Sequence, residues 1–353
     1  ALKVASETFA PHNRLCDEDE PRFENGKVVI RPEVSEALAV LRDTGLMAAS
    51  QDYERGGMQL PAAVAQTCIG LIKGANVSTQ AYAGLTIAAC NLIMAHGTDE
   101  QKQRYAEPMM AGRFFGTMCL TEPHAGSSLG DIKSRAIPQD DGTYRISGNK
   151  IFISAGDHEL SENIVHLVLA KLPDAPPGAK GISLFIVPKF LVNDDGSLGE
   201  RNDVQLAGLI HKMGYRGTTS TMLNFGEKGG AVGYLVGEPH NGLAGMFHMM
   251  NEARIGVGLG SVMLGYTGYL HALEYARERT QGRGMAERDP NTPMIPLVQH
   301  ADIRRLLLAQ KAFVEGGLSL CLFSSTLVDE KKHSPDAAVR EEAAGLLDLL
   351  TPI

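Results

Sequence analysis

Two segments of this chain combine short apolar runs with small polar residues in a pattern suited to ligand binding. The first is residues 118–128, MCLTEPHAGSS, and the second is residues 148–156, GNKIFISAG. Each pattern is typical of a β-strand whose end presents hydroxyls and backbone amides. Thr121, Ser127 and Ser154 would then be hydrogen-bond donors at two neighbouring strand ends. Taken alone, the same residues are also ordinary turn residues.

The composition is that of a folded globular protein with two or three domains. The 353 residues are 44% hydrophobic and 21% charged. The formal net charge is −8 and no long basic run occurs. Both facts argue against nucleic-acid binding, because phosphate neutralisation needs a clustered basic surface.

Five scattered cysteines, without a CxxC pair, predict neither a zinc site nor a disulfide framework, and favour a cytoplasmic location. The eleven histidines include no pair at metal-ligand spacing, so no metal site is expected. No apolar run approaches the length of a membrane span, so we expect no membrane-spanning helix. The chain begins with Ala1, and its last helical pattern, residues 341–353, has no C-cap glycine. We therefore expect a fragment or a partly ordered chain.

The order of patterns predicts helices, then strands, then helices. Residues 61–73, 81–95 and 100–110 have apolar residues at helical spacing, the last preceded by a cap at Thr98. Short β-type runs follow at residues 116–120, 144–147, 151–154, 164–170 and 181–187. Long helical patterns return at residues 243–280 and 298–329.

Residues 256–261, GVGLGS, resemble a dinucleotide-binding fingerprint. That motif requires a preceding strand and a turn, whereas here the glycines continue a helical pattern. Glycines 256 and 260 are better explained as flattening one helix face for close packing. Met246, Met249 and Met250 form a cluster that suits either core filling or a flexible wall facing a ligand.

The two opening segments resemble the flavin signatures of the acyl-CoA dehydrogenase family. Residues 118–127 match its Thr-Glu-Pro-x-Ala-Gly-Ser signature, and residues 148–154 resemble the second, with Phe152 at a position that is commonly aromatic. Residues 97–102 and 212–225 match further family segments in the expected order. The resemblance covers nearly the whole chain.

The resemblance implies an α+β multidomain fold. We expect an N-terminal helical domain at residues 1–115 and a central antiparallel β-barrel-like domain at residues 116–238. An incomplete C-terminal helical bundle would occupy residues 239–353. FAD would lie between the β domain and that bundle.

The resemblance also implies roles for individual residues. Groups that hold FAD are expected at Met118, Leu120, Thr121, Ser127, Phe152, Ile153 and Ser154. The acyl-CoA substrate is expected to contact Ser127, Asn251 and Arg254. Arg279 and His300 match FAD contacts that the family takes from a second subunit, which implies a homodimer or homotetramer.

The implied activity is FAD-dependent α,β-dehydrogenation of an acyl-CoA thioester to a trans-2-enoyl-CoA. Electrons would pass to an electron-transfer flavoprotein. One alternative is an acyl-CoA oxidase that uses oxygen. Another is a non-catalytic, DNA-binding flavoprotein on the same scaffold, which the acidic balance disfavours.

The sequence departs from the family pattern in two places. After Arg279 the usual Phe-Gly is replaced by TQGR and an extended loop, which resembles the longer branch that includes 3-methylmercaptopropionyl-CoA dehydrogenases. The expected catalytic base, a Glu, has no match. Where some members place it, this chain has Ala253, and Glu252 would point about 100° away on a helix. We therefore expect the base beyond Ile353.

Overall fold

The structure is a computed structural model. It describes the backbone of residues 1–353 and every side chain except those of His248, Met249, Asn251 and Glu252. The described residues form two compact units. The first comprises Ala1–Ala5, Pro61–Ala75 and Arg254–Ile353, and the second comprises Ser6–Leu60 and Asn76–Ala253. The division into three domains at residues 115 and 238 stays a prediction.

The α-helices of the described backbone vary from single turns to rods of more than nine turns. In chain order they are α1 Leu2–Val4, α2 Asn13–Glu18, α3 Pro32–Asp43, α4 Ala62–Ala75, α5 Val77–His96, α6 Asp99–Gln101, α7 Glu107–Met110, α8 Gly242–Glu278, α9 Ala301–His333 and α10 Ala337–Leu350.

The strands of the described backbone all belong to the second unit. They are β1 Arg22–Glu24, β2 Lys27–Val29, β3 Phe114–Cys119, β4 Arg135–Pro138, β5 Tyr144–Ser154, β6 Asn163–Lys171, β7 Ile182–Pro188, β8 Phe190–Val192, β9 Leu198–Arg201, β10 Val204–Leu209, β11 Ser220–Phe225 and β12 Ala231–Val236.

Two helices near the candidate β domain begin at side chains that cap them. Asn76 accepts a hydrogen bond from the Thr79 amide at the start of α5. Thr98 and Gln101 form a reciprocal capping box at the start of α6. The predicted helix over residues 100–110 is present, but a π-helical turn at Lys102–Ala106 separates α6 from α7.

A closed ring of strands forms the core of the second unit. β5 pairs with β12, β12 with β7, β7 with β6, and β4 joins β6 back to β5. β11 and β10 extend the sheet from the far end of β5, and β3 extends it from β6. This confirms the β-barrel-like architecture. The β3–β6 pair is parallel, however, so the sheet is not wholly antiparallel.

β5 is one continuous strand, whereas the sequence suggests two runs separated at Gly148. That glycine has φ +144°, and a Cβ there would lie 2.3 Å from Ser134 Oγ. Gly148 therefore lets the neighbouring segment approach closely without ending the strand. A long, bent β5 can then serve both the ring and the β11 extension.

Glycines in the first unit bring α4 against α8. A Cβ at Gly70 would lie 3.1 Å from Leu259, one at Gly74 3.4 Å from Met263, and one at Gly256 3.2 Å from the Lys73 ammonium. Because α8 is continuous across residues 256–261, the strand and turn of a dinucleotide fingerprint do not occur there. The packing interpretation of glycines 256 and 260 stays a prediction, because the nearest neighbour of Gly256 is the flexible end of the Lys73 side chain.

The helix α9 has the length and composition of a membrane span. An 18-residue window within it has a mean hydropathy of 1.5, and 11% of that window is buried within the chain. The charged pair Lys311–Glu315 lies midway along α9. The expectation that the chain has no membrane span is therefore not confirmed. Length and composition alone do not distinguish a membrane-spanning helix from one that is covered by other protein.

Two histidines are enclosed in the second unit. His158 lies between the rings of Tyr82 and Phe115, at 5.3 and 5.5 Å. His166 Nδ1 lies 2.8 Å from Thr117 Oγ1. In the described part of the chain, neither Nε2 atom has a hydrogen-bond partner. Burial, reinforced by the charge of Lys189, lowers the pKa of both rings to about 3.

We predict that acid destabilises the protein through these rings. Their folded pKa lies below the unfolded value of about 6.5, so their contribution is complete above pH 6.5 and declines as pH falls toward 3. Urea unfolding at pH 7 and pH 5 should show this loss. His166→Leu should reduce it, whereas the exposed control His271→Leu should not. Equal pH dependence in wild type and His166→Leu would contradict the assignment.

Candidate functional site

Two hydrogen bonds join the end of β3 to β5 and assemble the candidate site. The Ile151 amide donates to the Thr121 carbonyl at 2.9 Å. Lys150 Nζ donates to the Leu120 carbonyl at 3.0 Å. The two segments that the sequence singles out are therefore adjacent, as expected for neighbouring strand ends.

Three hydroxyls lie around this junction. Thr121 is partly buried, whereas Ser127 and Ser154 are exposed. Among the described residues, none of the three hydroxyls has a hydrogen-bond partner. Such groups can donate to acceptor atoms of a ligand without breaking an existing bond.

Phe152 has an unusual backbone conformation within this site. Its φ is +59°, a left-handed region that costs a residue with a Cβ about 1–2 kcal/mol. In the pairing with β11, Lys150 lies opposite Leu223 and Ile153 lies opposite Thr221. β5 therefore has one more residue between these pairs than β11 has, which is a β-bulge. The bulge leaves the Phe152 ring 52% exposed, with Lys212 Nζ 5.2 Å from its centroid.

The other expected flavin residues of the two segments are partly buried, in the case of Met118 and Leu120, or fully buried, in the case of Ile153. Met118 and Leu120 pack against the large core cluster, and Ile153 belongs to the core on the other face of the sheet. The Ile153 carbonyl also accepts from Thr221 Oγ1 at 2.9 Å. These side chains hold the strand ends in place, which leaves chiefly backbone groups to meet a ligand.

Sequence reasoning missed a buried ion pair beneath the site. Glu122 and Lys150 are almost fully buried, and Lys150 Nζ lies 3.0 Å from Glu122 Oε1. Burial opposes the charge of Glu122, but Lys150 and the donors of Lys133 and Ser134 together hold its carboxyl pKa below the ordinary value. Burial also lowers the pKa of Lys150. The alternation of side chains along β5 could have indicated that Lys150 is buried, because it places Lys150 on the same inward face as Ile146.

The remaining expected contacts lie in the first unit or outside the described side chains. The loop after α8 folds back through hydrogen bonds from Leu297 to Arg279 and from Gln281 to Ile295. His300 Nε2 then lies 2.6 Å from the Gln281 carbonyl, two residues from Arg279. Arg279 and Arg254 are exposed. The side chain of Asn251, like those of Glu252 and Met249, is among those not described.

Two family models match this chain. "Acyl-CoA dehydrogenase, N-terminal domain" matches residues 1–113, and "Acyl-CoA dehydrogenase, middle domain" matches residues 117–227. The second match contains both strand ends of the candidate site. The chain belongs to the acyl-CoA dehydrogenase family.

Relatives agree with this membership. The chain is 41% identical to 3-methylmercaptopropionyl-CoA dehydrogenase of Ruegeria pomeroyi over 99% of its own length and 59% of the relative. It thus spans less than two thirds of that acyl-CoA dehydrogenase.

Solved structures show the same fold. A chain from the structure of the electron transferring flavoprotein of Acidaminococcus fermentans has a TM-score of 0.76 at 20% identity, with 99% of this chain and 81% of that chain covered. The acyl-CoA dehydrogenase complexed with FAD from Bacillus anthracis has a TM-score of 0.75 at 20% identity, with 99% and 53% covered. The acyl-CoA dehydrogenase fold expected from the sequence is confirmed.

We predict that backbone strain at Phe152 can be measured. Phe152→Gly should have a free energy of unfolding about 1 kcal/mol higher than that of Phe152→Ala in urea titrations, because glycine adopts positive φ freely. At Asn149, an exposed position of β5 without positive φ, the order should reverse, since glycine weakens ordinary strands. The same order at both positions would contradict a strained Phe152.

Proposed function

We propose that this chain is part of an FAD-dependent acyl-CoA dehydrogenase. The reaction would convert an acyl-CoA thioester to a trans-2-enoyl-CoA and pass electrons to an electron-transfer flavoprotein. The observation that carries the proposal is the junction of the two strand ends, with Thr121 bonded to Ile151 and three hydroxyls around it. Family membership and the Ruegeria pomeroyi relative support the same activity.

The residues at this junction fit a flavin ring. Thr121 and Ser154 supply donors that suit the oxygen and nitrogen atoms along the ring's polar edge. Phe152 supplies an exposed aromatic face nearby. The charges beneath them, on Glu122 and Lys150, cancel one another. We therefore assign FAD binding to Met118, Leu120, Thr121, Ser127, Phe152, Ile153 and Ser154.

The role of the chain's own groups follows from charge. FAD, when bound, supplies a hydride acceptor. Hydroxyl and amide donors fixed in advance at the ring's edge would stabilise the negative charge that arrives with the hydride. The rigid β3–β5 junction suits this role because such donors need no reorganisation during the reaction.

The substrate and the partner protein rest on similarity to named relatives. Ser127, Asn251 and Arg254 are our candidates for acyl-CoA contacts. The likeness to 3-methylmercaptopropionyl-CoA dehydrogenase favours a short, thioether-containing acyl group. The fold shared with a chain from an electron transferring flavoprotein structure supports a flavoprotein as electron acceptor. We assign the catalytic base to none of the described side chains.

Arg279 and His300 are our candidates for FAD contacts made to a second copy of the protein. A guanidinium suits a pyrophosphate because its planar fork can donate to two oxygens at once. The exposure of Arg279 and its closeness in the loop to His300 are compatible with this use. The assignment implies a homodimer or homotetramer.

Flavin content and turnover test the proposal. The purified full-length protein that contains this chain should show flavin absorbance that bleaches when an acyl-CoA is added without oxygen. Short, branched and thioether acyl-CoAs would identify the substrate. Absence of flavin, or flavin that no acyl-CoA bleaches, would contradict the proposal. Stoichiometric peroxide release would indicate an oxidase, and salt-dependent DNA binding would indicate the non-catalytic alternative.

We predict that Ser154→Ala slows flavin reduction about tenfold, because one preorganised donor is lost. The hydroxyl is exposed, so the free energy of unfolding should change by less than about 0.5 kcal/mol. Ser147→Ala, at an exposed position of the same strand, is the matched control and should change neither quantity. Equal slowing in both variants, or a melting temperature that falls in step with the rate, would exclude this role for Ser154.

A further inference from the structure

The ion pair of Glu122 and Lys150 makes more hydrogen bonds than the pairing of two charges requires. Glu122 Oε1 accepts from Lys150 Nζ at 3.0 Å, from the Ser134 amide at 3.0 Å and from Ser134 Oγ at 2.6 Å. Its Oε2 accepts from the Lys133 amide at 2.7 Å. The carboxylate therefore joins the loop after β3, the segment that enters β4, and β5.

An ion pair at this depth is costly unless it is fully bonded. Removing two charges from water costs several kcal/mol per ion, and hydrophobic replacements are often as stable. A stability role alone would therefore not require charges at Glu122 and Lys150. The pair does something that an apolar contact cannot do, because Lys150 also donates to the Leu120 carbonyl.

The Leu120 carbonyl determines the direction of a neighbouring donor. The carbonyl of Leu120 and the amide of Thr121 belong to one planar trans peptide, so they point in opposite directions. With the carbonyl held by Lys150 inside the protein, the Thr121 amide points away from Lys150. Among the described residues this amide has no backbone partner. The next carbonyl, that of Thr121, is held by the Ile151 amide.

We propose that Glu122 and Lys150 are positioning residues for the flavin. They fix the Leu120–Thr121 peptide so that the Thr121 amide and hydroxyl are directed at the ring's edge. The inference rests on the proposed function, since it assumes that FAD binds at the β3–β5 junction. Gly148 contributes to the same arrangement, because a Cβ at this position would displace Ser134 from its place beside Glu122.

The charges give the inference a signature that stability alone cannot produce. Lys150→Met leaves a carboxylate below the site, which opposes the addition of negative charge to the flavin. Glu122→Gln leaves an ammonium, which favours that charge. The flavin reduction potential should therefore fall in Lys150→Met and rise in Glu122→Gln.

FAD affinity and reduction potential of the full-length protein provide the test, each variant being compared with wild type at one pH: pH 8 for Lys150→Met, which keeps the Glu122 carboxylate charged, and pH 6 for Glu122→Gln, which keeps the Lys150 ammonium charged. Both single variants should bind FAD at least tenfold more weakly than wild type. The double variant Glu122→Gln/Lys150→Met should bind FAD weakly but have a potential close to that of wild type, because neither charge remains. If Lys150→Met does not fold, the isosteric Glu122→Gln still tests the weaker binding and the raised potential.

Asn202→Ala is the matched control. Asn202 is also buried in the second unit; its Nδ2 donates to the Pro188 and Val232 carbonyls, and its Oδ1 accepts from the Val232 amide. This variant should lower the melting temperature without changing the flavin potential. If the ion-pair variants bind FAD like wild type, or shift the potential in the same direction as one another, the inference is wrong. A wild-type protein that binds no FAD would overturn the proposed function and this inference together.

Discussion

The contact on which the candidate site depends most is the one between Lys150 and the Leu120 carbonyl. It crosses from an interior position of β5 to the first residue after β3. Two further hydrogen bonds join the loop from Thr121 to Asp131 to β5, from the Ile151 amide to the Thr121 carbonyl and from Lys150 Nζ to Glu122 Oε1, but neither of them holds the Leu120 carbonyl. The ammonium can lie this deep only because Glu122 neutralises it, and Glu122 in turn needs the amides of Lys133 and Ser134.

This arrangement explains why β5 is the longest strand of the barrel in the described backbone. Its first residues complete the ring with β4 and β12, and its later residues pair with β11 beside the site. The same strand therefore closes the ring of strands and forms part of the candidate flavin-binding edge. Ser154 is placed by a rigid sheet and not by a free loop, which suits a donor that must be oriented before the reaction.

Much of the fold could be predicted from the sequence. Helical spacing located α4 and α5, and capping residues located the start of α6. The strand ends at Thr121 and Ser154 were also identified, because apolar runs followed by small polar residues are a local signal. The parallel pairing of β3 with β6 could not be predicted, since it joins residues about 50 positions apart without a local signal.

The ion pair and the bulge were missed for different physical reasons. A lysine inside a strand usually indicates a solvated face, so Lys150 gave no sign that Glu122 neutralises it from another segment. The bulge at Phe152 could not be predicted from the alternation of side chains, because the extra residue of a bulge reverses which side chains face inward. Lys150 and Ile153 are both buried, although simple alternation places them on opposite faces.

The backbone around Ser154 shows how the structure maintains an unfavourable conformation at the candidate site. Phe152 and Ala155 both have positive φ, at +59° and +55°, and together they cost about 2–4 kcal/mol. Hydrogen bonds on both sides oppose this strain, from Thr221 Oγ1 to the Ile153 carbonyl and from the Ala155 amide to the Thr219 carbonyl. A relaxed strand would continue the alternation from Lys150 and bury Phe152 in place of Ile153. The strained form exposes Phe152 and Ser154 together, so the neighbouring strand β11 stabilises the conformation on which the proposed flavin-binding edge depends.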